Sequence, residues 1–204
     1  NITMPSESTD NEEAFAPKEP GGEKEGVVHF FFEIVKFAAI AILIVVPIRV
    51  FIAQPYIVSG ASMTPTFETG DYLIVDQLSY RFQNPQRGDV LIFRYPRDLS
   101  KFFIKRVIGL PNETIDMREG AVSVRNETFP EGVRIEEPYN KSFFNATMTV
   151  ALGEGEYFVM GDNRAASLDS RSWGALPQDL IVGKALVRLF PFTNISFLPG
   201  SISH

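Results

Sequence analysis

Apolar and polar residues separate sharply at the start of the chain. Positions 1–27 are polar and rich in Glu, Pro, Gly and Ser, so they bury too little surface to offset the entropy of ordering, and a disordered acidic tail is predicted there. Positions 28–53 are apolar, and their charge-free core at 37–48 would be apolar on every face of a helix. Because the stretch is long enough to cross a bilayer, we predict a transmembrane anchor over 28–53.

Two other interpretations of this apolar stretch stay open at the level of sequence. It could be a buried helix of a soluble protein, although such a helix normally keeps one polar face. It could also be a cleavable signal peptide, and cleavage shortly after Ala53 would then leave Ser62 close to a new N-terminus. The acidic tail does not orient the span, because the positive-inside rule counts Lys and Arg.

After Ala53 the pattern changes to short runs of β-branched and aromatic residues, bounded by Gly or Pro turns. We therefore predict a mostly β fold of packed or coiled antiparallel sheets over 54–192, followed by a tail at 193–204 that holds no second span. The predicted strands lie at 56–58, 71–75, 89–93, 102–108, 121–124, 157–160 and 180–189.

Composition then removes several classes of function. The formal charge of -6 and a pI near 5.0 argue against nucleic-acid binding, which needs a basic face. The absence of cysteine excludes disulfides and thiol chemistry. The only histidines are His29 and His204, so neither a His-ligated metal site nor a Ser-His-Asp triad is expected, and no cofactor is predicted.

A serine and a lysine remain as candidates for nucleophilic chemistry. Ser62 lies among small residues that let a substrate backbone approach, and Pro65 fixes the chain after it. Lys105 lies in an apolar strand; if it points inward, loss of hydration lowers its pKa toward that of a usable base. Each residue alone has an ordinary alternative, a structural turn serine or a solvent-facing strand lysine.

A third element, 161–171, is dense in hydrogen-bonding side chains directly after a predicted strand. By itself it could be an Asx-rich surface turn with a solvated ion pair, which contributes under ~1 kcal/mol.

These three elements, in this order behind an apolar segment, resemble the type I signal peptidase family, the membrane-bound Ser-Lys leader peptidases, over about 35–191. No single motif is specific, but the set is. The motifs are Ser62-Met63-x-Pro65-Thr66, Gly70-Asp71, Gly88-Asp89-Val90, Lys105-Arg106-Val107-Ile108-Gly109 and Gly161-Asp162-Asn163-Arg164-x-x-Ser167-x-Asp169-Ser170-Arg171.

The resemblance implies a role for each matched residue. Ser62 would be the nucleophile and Lys105 the general base, with Ser167 orienting the Lys105 amine. The backbone N–H of Ser62 would supply one oxyanion donor. Gly60 stands where one branch of the family has a serine, so the second donor is unassigned. The pairs expected to brace the site are Asp169 with Arg171 and Asp162 with Arg106.

The resemblance also implies the substrate. An extended signal peptide would add as a strand between 57–62 and 102–105, with small side chains at its -1 and -3 positions in shallow pockets. For each pocket candidate, core packing is the competing explanation. The candidates are Ile57, Val58, Gly60, Met63, Phe67, Phe103 and Ile104.

The predicted protein is thus a serine endopeptidase that removes signal peptides from exported preproteins. It would cross the plasma membrane once, contact the lipid bilayer, bind no metal and no nucleic acid, and hold its catalytic domain on the outer face. A modest β-insertion is expected around 113–150.

Two rival functions were weighed on sequence grounds. A self-cleaving repressor shares Ser-Lys chemistry but needs a DNA-binding helix-turn-helix ahead of the catalytic domain, where this chain has an acidic tail and an apolar helix. A membrane-tethered β-domain could bind exported peptides without cleaving them. The presence of both Ser62 and Lys105 in their motifs argues against that second rival.

Overall fold

The computed structural model of the chain describes residues 22–47, 53–140 and 146–201, divided between two compact units, Asn1–Val45 and Val46–His204. Most of the predicted tail therefore lies outside the described residues. The first described element is the helix α1 (Gly22–Pro47). Its stretch Val28–Val46 has a mean hydropathy of 2.2 and no residue buried within the protein, so by length and composition it can cross a membrane.

The second unit is built from β-strands, which confirms the predicted mostly antiparallel fold. The strands that the structure describes are β1 (Ala53–Ile57), β2 (Tyr72–Asp76), β3 (Val90–Tyr95), β4 (Asp98–Gly109), β5 (Thr114–Arg118), β6 (Ala121–Arg125), β7 (Val133–Arg134), β8 (Met148–Ala151), β9 (Glu156–Met160), β10 (Leu176–Pro177), β11 (Ile181–Phe190) and β12 (Ser196–Phe197). A one-turn helix, α2 (Ser170–Trp173), follows β9.

These strands form two antiparallel sheets. The larger has the order β1-β2-β11-β3-β4-β9-β10, with β12 added to β11. The smaller has the order β7-β6-β5-β8 and comes from the stretch predicted as a β-insertion. The predicted C-terminal tail contributes β12, which pairs with β11 through Val187 and Phe197.

Strand β4 holds the middle of the larger sheet and changes partner along its length. It pairs with β3 from Asp98 to Arg106, but with β9 only from Arg106 onward. One edge of its first half therefore has no strand partner among the described residues. Gly109 ends the strand, where a Cβ would lie 2.5 Å from Ile115 Cδ1, so only glycine allows the small sheet to pack this closely.

The core consists of three groups of buried side chains, formed where alternate positions of neighbouring strands face inward. One lies beneath the loop after β1 and includes Val58, Met63 and Phe67. A second lies between β3, β4 and β9 and includes Phe93 and Tyr157. The third joins the two sheets; its members are Ile108, Ile115, Met117, Val122, Val124, Leu152, Phe158 and Met160.

Candidate active site

The structure brings Ser62 and Lys105 together from separate elements. Ser62 lies in the loop between β1 and β2, and Lys105 lies in β4, where it pairs in register with Leu91 of β3. Lys105 Nζ is 2.8 Å from Ser62 Oγ and also donates to the Ile104 carbonyl at 2.8 Å. A lysine and a serine 43 positions apart in the chain thus form a direct hydrogen bond.

Lys105 is only 3% exposed, and this burial changes its acidity. Loss of hydration lowers the pKa of Lys105 to about 8, although the charges of Asp169 and Asp162 act in the opposite direction. The Phe103 ring lies 5.2 Å from the amine and adds to its apolar surroundings. With such a pKa, roughly a fifth of the amine is neutral at pH 7.4, against ~0.1% for an ordinary lysine.

The loop that carries Ser62 is held by Thr69, a residue that sequence reasoning missed. Gly60 has a φ of +95°, a left-handed conformation that glycine adopts readily. Its N–H donates to Thr69 Oγ1 at 3.0 Å, and the Thr69 hydroxyl donates back to the Gly60 carbonyl at 3.2 Å. Thr69 therefore fixes both polar groups of the glycine two positions before Ser62.

The polar turn at 161–171 contains the two expected ion pairs. Arg106 donates from Nε and Nη2 to the two carboxylate oxygens of Asp162 at 2.8 and 2.6 Å, and both side chains are buried. Asp162 also accepts a 2.5 Å hydrogen bond from Thr66 of the nucleophile loop. Arg171 donates to both oxygens of Asp169 at 2.8 Å.

Asp169 stabilises the turn as a charged hydrogen-bond acceptor. Burial alone would raise its pKa, but the hydrogen bonds and charge of Arg171, with the Gly161 N–H, hold it below the usual value. The carboxylate therefore stays charged and accepts the Gly161 N–H at 3.0 Å.

The turn is joined directly to the nucleophile loop through Asn163, which belongs to the matched motif but had no predicted role. Its backbone N–H donates to the Ser62 carbonyl at 3.0 Å, and its side-chain amide donates to the Ala61 carbonyl at 3.1 Å. A Cβ at Gly161 would overlap both the Ser62 carbonyl and Ser167. Only glycine permits this close approach.

Ser167 lies in the same turn, but it does not make the expected bond to Lys105. Its hydroxyl oxygen is buried and makes no well-formed hydrogen bond among the described residues, although it lies close enough to Asp169 to help lower the pKa of that carboxyl. The second bond of the Lys105 amine goes instead to the Ile104 carbonyl. The role of Ser167 stays a prediction.

A groove of about 330 Å³ opens beside Ser62 and Lys105. Five of the predicted pocket residues line it, whereas Met63 and Phe67 are fully buried in the core beneath the nucleophile loop. The predicted residues in the lining are Ile57, Val58, Gly60, Phe103 and Ile104. Lining residues outside the predicted pocket set are Tyr56, Ser59, Ala61, Leu73, Ile92, Phe102, Ala166 and Leu168, of which Ser59, Ala61 and Phe102 lie in the predicted flanking segments 57–62 and 102–105.

An aromatic cluster supports the wall of the groove behind Phe103. The Phe103 ring stacks on Tyr95 at 4.5 Å, and Tyr95 makes an edge contact with Trp173 at 6.2 Å. Trp173 also contacts Phe93 at 5.9 Å. The β3–β4 hairpin is thereby packed against α2, at the end of the polar turn.

Within the described ranges, no group of three or more His, Cys, Asp or Glu side chains is arranged to hold a metal ion.

The profile of the family described as "Signal peptidase, peptidase S26" matches residues 31–190. The chain therefore belongs to the signal peptidase S26 family, which confirms the resemblance carried by its motifs.

Two sequence relatives agree with this assignment. The chain is 39% identical over 170 residues to the "Probable signal peptidase I-1" of Synechocystis sp., covering 79% of this chain and 84% of the relative. It is 32% identical over 203 residues to the "Signal peptidase I" of Leptolyngbya laminosa, covering 96% and 97%. A crystal structure of a signal peptidase I from Enterococcus faecalis aligns with 31% identity and a TM-score of 0.43, over 50% of this chain and 97% of that one.

Proposed function

We propose that this signal peptidase cleaves preproteins with Ser62 as its nucleophile and Lys105 as its general base. The observation that supports the proposal most directly is the 2.8 Å contact between Lys105 Nζ and Ser62 Oγ. The lowered pKa of the buried lysine, about 8, makes a neutral amine available near neutral pH. A protein that only bound peptides would need neither feature.

The chemistry begins with proton transfer from Ser62 Oγ to the neutral Lys105 amine, while Oγ attacks the scissile carbonyl carbon. The Lys105 ammonium then protonates the departing amine, the C–N bond breaks, and the signal peptide remains as an ester on Ser62. A water molecule, deprotonated by Lys105, attacks that ester. The ester C–O bond breaks, Ser62 regains its proton from Lys105, and the signal peptide leaves as a carboxylic acid that loses its proton to the solvent.

Charge that develops on the carbonyl oxygen needs donors already in place. The Ser62 backbone N–H is the first. Gly60 has no side chain to offer, so the second comes from the backbone or from water. The bonds from Thr69 to Gly60 fix the loop in which the first donor lies.

The substrate binds as an added strand in the groove. The unpaired edge of the first half of β4 presents backbone groups on one side, and the segment 57–62 faces it from the other. Hydrogen bonds to the main chain set the register, and the apolar side chains Val58 and Ile104 limit the substrate to small side chains at -1 and -3.

The two ion pairs and Ser167 have supporting roles. Arg106 with Asp162 and Asp169 with Arg171 keep the turn in place behind the dyad. Ser167 orients the Lys105 amine during turnover.

The membrane-anchored chain works at the bilayer surface, with its catalytic domain on the outer face. Cleavage sites of exported preproteins emerge on that side, and α1 supplies the span. The remaining predicted properties follow from the same assignment: lipid contact, no metal and no nucleic acid.

The test is incubation of the detergent-solubilised protein with a labelled preprotein, with the cut mapped by mass spectrometry. We expect one cut after small residues at -1 and -3. Ser62→Ala and Lys105→Ala should each lower turnover by at least about 10³-fold, since a nucleophile and its base act as a unit.

Two matched variants control for general damage. Ser172→Ala removes an exposed serine that lies outside the groove, and Lys101→Ala removes an exposed lysine from the same strand as Lys105. Both should cleave at close to the wild-type rate. Substantial turnover by either dyad variant would refute the Ser-Lys assignment.

A further inference from the structure

The polar turn is held from behind by a segment of the β-insertion. Between β7 and β8 the chain passes under the turn, and we call residues 137–139 the insertion segment. Arg164 Nη1 donates to Glu137 Oε2 at 2.9 Å, and Nη2 donates to Glu137 Oε1. The Arg164 side chain is 0% exposed and that of Glu137 9% exposed, so this two-bond ion pair is shielded from water.

Tyr139 of the same segment covers a second arginine. The Cζ atom of Arg106 lies 4.0 Å from the centre of the Tyr139 ring, and that of Arg164 lies 6.0 Å away. The Tyr139 hydroxyl donates to Glu137 Oε1 at 3.1 Å. The insertion segment therefore contacts the guanidinium that holds Asp162 as well as the one in the turn.

Each arginine is connected to the Ser62–Lys105 dyad through a neighbouring residue. Arg164 Nε donates to the Gly161 carbonyl at 3.0 Å. Asn163, two residues after Gly161, donates its backbone N–H to the Ser62 carbonyl. Arg106 follows Lys105 directly in β4 and points to the opposite face of the sheet. The insertion segment is thus connected to the nucleophile through one arginine and to the base through the other.

We propose that Glu137 and Tyr139 are positioning residues for the Ser62–Lys105 dyad. The insertion segment fixes Arg164 and Arg106 and so keeps the turn at the distance that holds Ser62 against Lys105. This inference rests on the proposed function of the dyad. It assigns to the small sheet a part in catalysis, although none of its residues lines the groove.

The expected effect is on turnover and not on binding. Without the Glu137 carboxylate, the buried Arg164 guanidinium loses its anionic partner and must shift toward water, taking the Gly161 carbonyl with it. A displacement of about 1 Å at the dyad costs on the order of 10²-fold in rate. Substrate binding should change little, because most of the groove lining comes from 56–62 and 102–105 and the turn contributes only Ala166 and Leu168.

The test compares two pairs of variants in the full chain. Glu137→Gln removes the charge, and its control Glu136→Gln changes the exposed neighbouring carboxylate. Tyr139→Leu removes the ring, and its control Tyr139→Phe keeps it. For each, kcat and KM on the preprotein are measured at a temperature at which circular dichroism shows the variant to be fully folded.

We expect Glu137→Gln and Tyr139→Leu to lower kcat by about 10- to 100-fold with KM within about 3-fold of wild type. Both controls should keep kcat within about 3-fold. A merely structural role would lower the melting temperature but leave the kcat of the folded enzyme unchanged, and that result would overturn the inference. If Glu137→Gln does not fold, the comparison of Tyr139→Leu with Tyr139→Phe tests the inference. If neither Glu137→Gln nor Tyr139→Leu folds, the inference is also overturned.

Cleavage of the preprotein by the wild-type enzyme distinguishes a failure of this inference from a failure of the proposed function. If the wild type does not cleave the preprotein, the proposed function fails. If the wild type cleaves, Ser62→Ala does not, and both segment variants keep full kcat, only the positioning role fails.

Discussion

At the scale of single residues, Lys105 meets two opposed requirements. It must be buried to lose its proton, yet the neighbouring turn needs the carboxylates Asp162 and Asp169, which favour the charged amine. The structure places both carboxylates in ion pairs with arginines and buries the amine itself. Loss of hydration is then the dominant influence, and the pKa of Lys105 falls to about 8.

The pH dependence of kcat/KM follows from that value. As the proposed general base, Lys105 would act only when neutral, so activity should rise tenfold per pH unit below its pKa and level off near pH 8. Initial rates on the preprotein across pH 5 to about 10 would show this limb. Activity that rises only near the ordinary lysine pKa would contradict the assignment of the buried amine as the base.

Ser167 offers a separate test at this scale. Its buried hydroxyl makes no well-formed hydrogen bond among the described residues and only a weak interaction with Asp169, so Ser167→Ala should lower the free energy of unfolding by no more than about 1 kcal/mol. If the hydroxyl orients Lys105 during turnover, kcat should nevertheless fall by roughly 10- to 100-fold. Urea unfolding and steady-state kinetics on one preparation measure both quantities. An unchanged kcat would leave Ser167 without a catalytic role.

At the scale of elements, the nucleophile loop depends on one side chain to hold a left-handed glycine. Thr69→Val keeps the shape of the side chain but removes both bonds to Gly60, which frees the backbone that precedes Ser62. We expect kcat to fall by about tenfold, while Thr69→Ser, which keeps the hydroxyl, stays near wild type. Equal activity of the two variants would show that the loop holds its conformation without these bonds.

Sequence predicted the strands best where their residues are buried. In the predicted strand 89–93 the positions 90–93 are apolar and buried and belong to β3, whereas the start of β4 at 98–101 was missed because it is mostly polar and exposed. The short β7 and β12 carry too few residues to form a pattern. Their pairing is decided by the neighbouring strands.

Residues of the candidate site could be predicted from the sequence where the residue type itself indicates a chemical role. A serine, a lysine and the charged turn stand out in the sequence, but Thr69 and Glu137 are common loop residues, and Asn163 was matched in its motif without an assigned role. Their contacts join segments that only the fold brings together, so no local pattern could indicate them. Met63 shows the converse: it follows Ser62 in sequence, yet its side chain points into the core.

At the scale of the whole molecule, one apolar helix accompanies a β-rich catalytic unit. The proposed orientation predicts that protease added to intact cells, or to spheroplasts where an outer barrier exists, degrades the 46–204 unit without lysis. Immunoblotting against that unit measures its loss, and a cytoplasmic protein serves as the control for integrity. Protection of the unit until the cells are lysed would place it on the inner face.

The aromatic cluster behind the groove has an optical consequence. Trp173 is the only tryptophan in the chain, and it contacts Tyr95, which stacks on Phe103 in the groove wall. A peptide that presses on Phe103 disturbs this stack, so the surroundings of the single indole change with occupancy. The intrinsic fluorescence of the inactive Ser62→Ala variant should therefore report signal-peptide binding directly, without any attached dye.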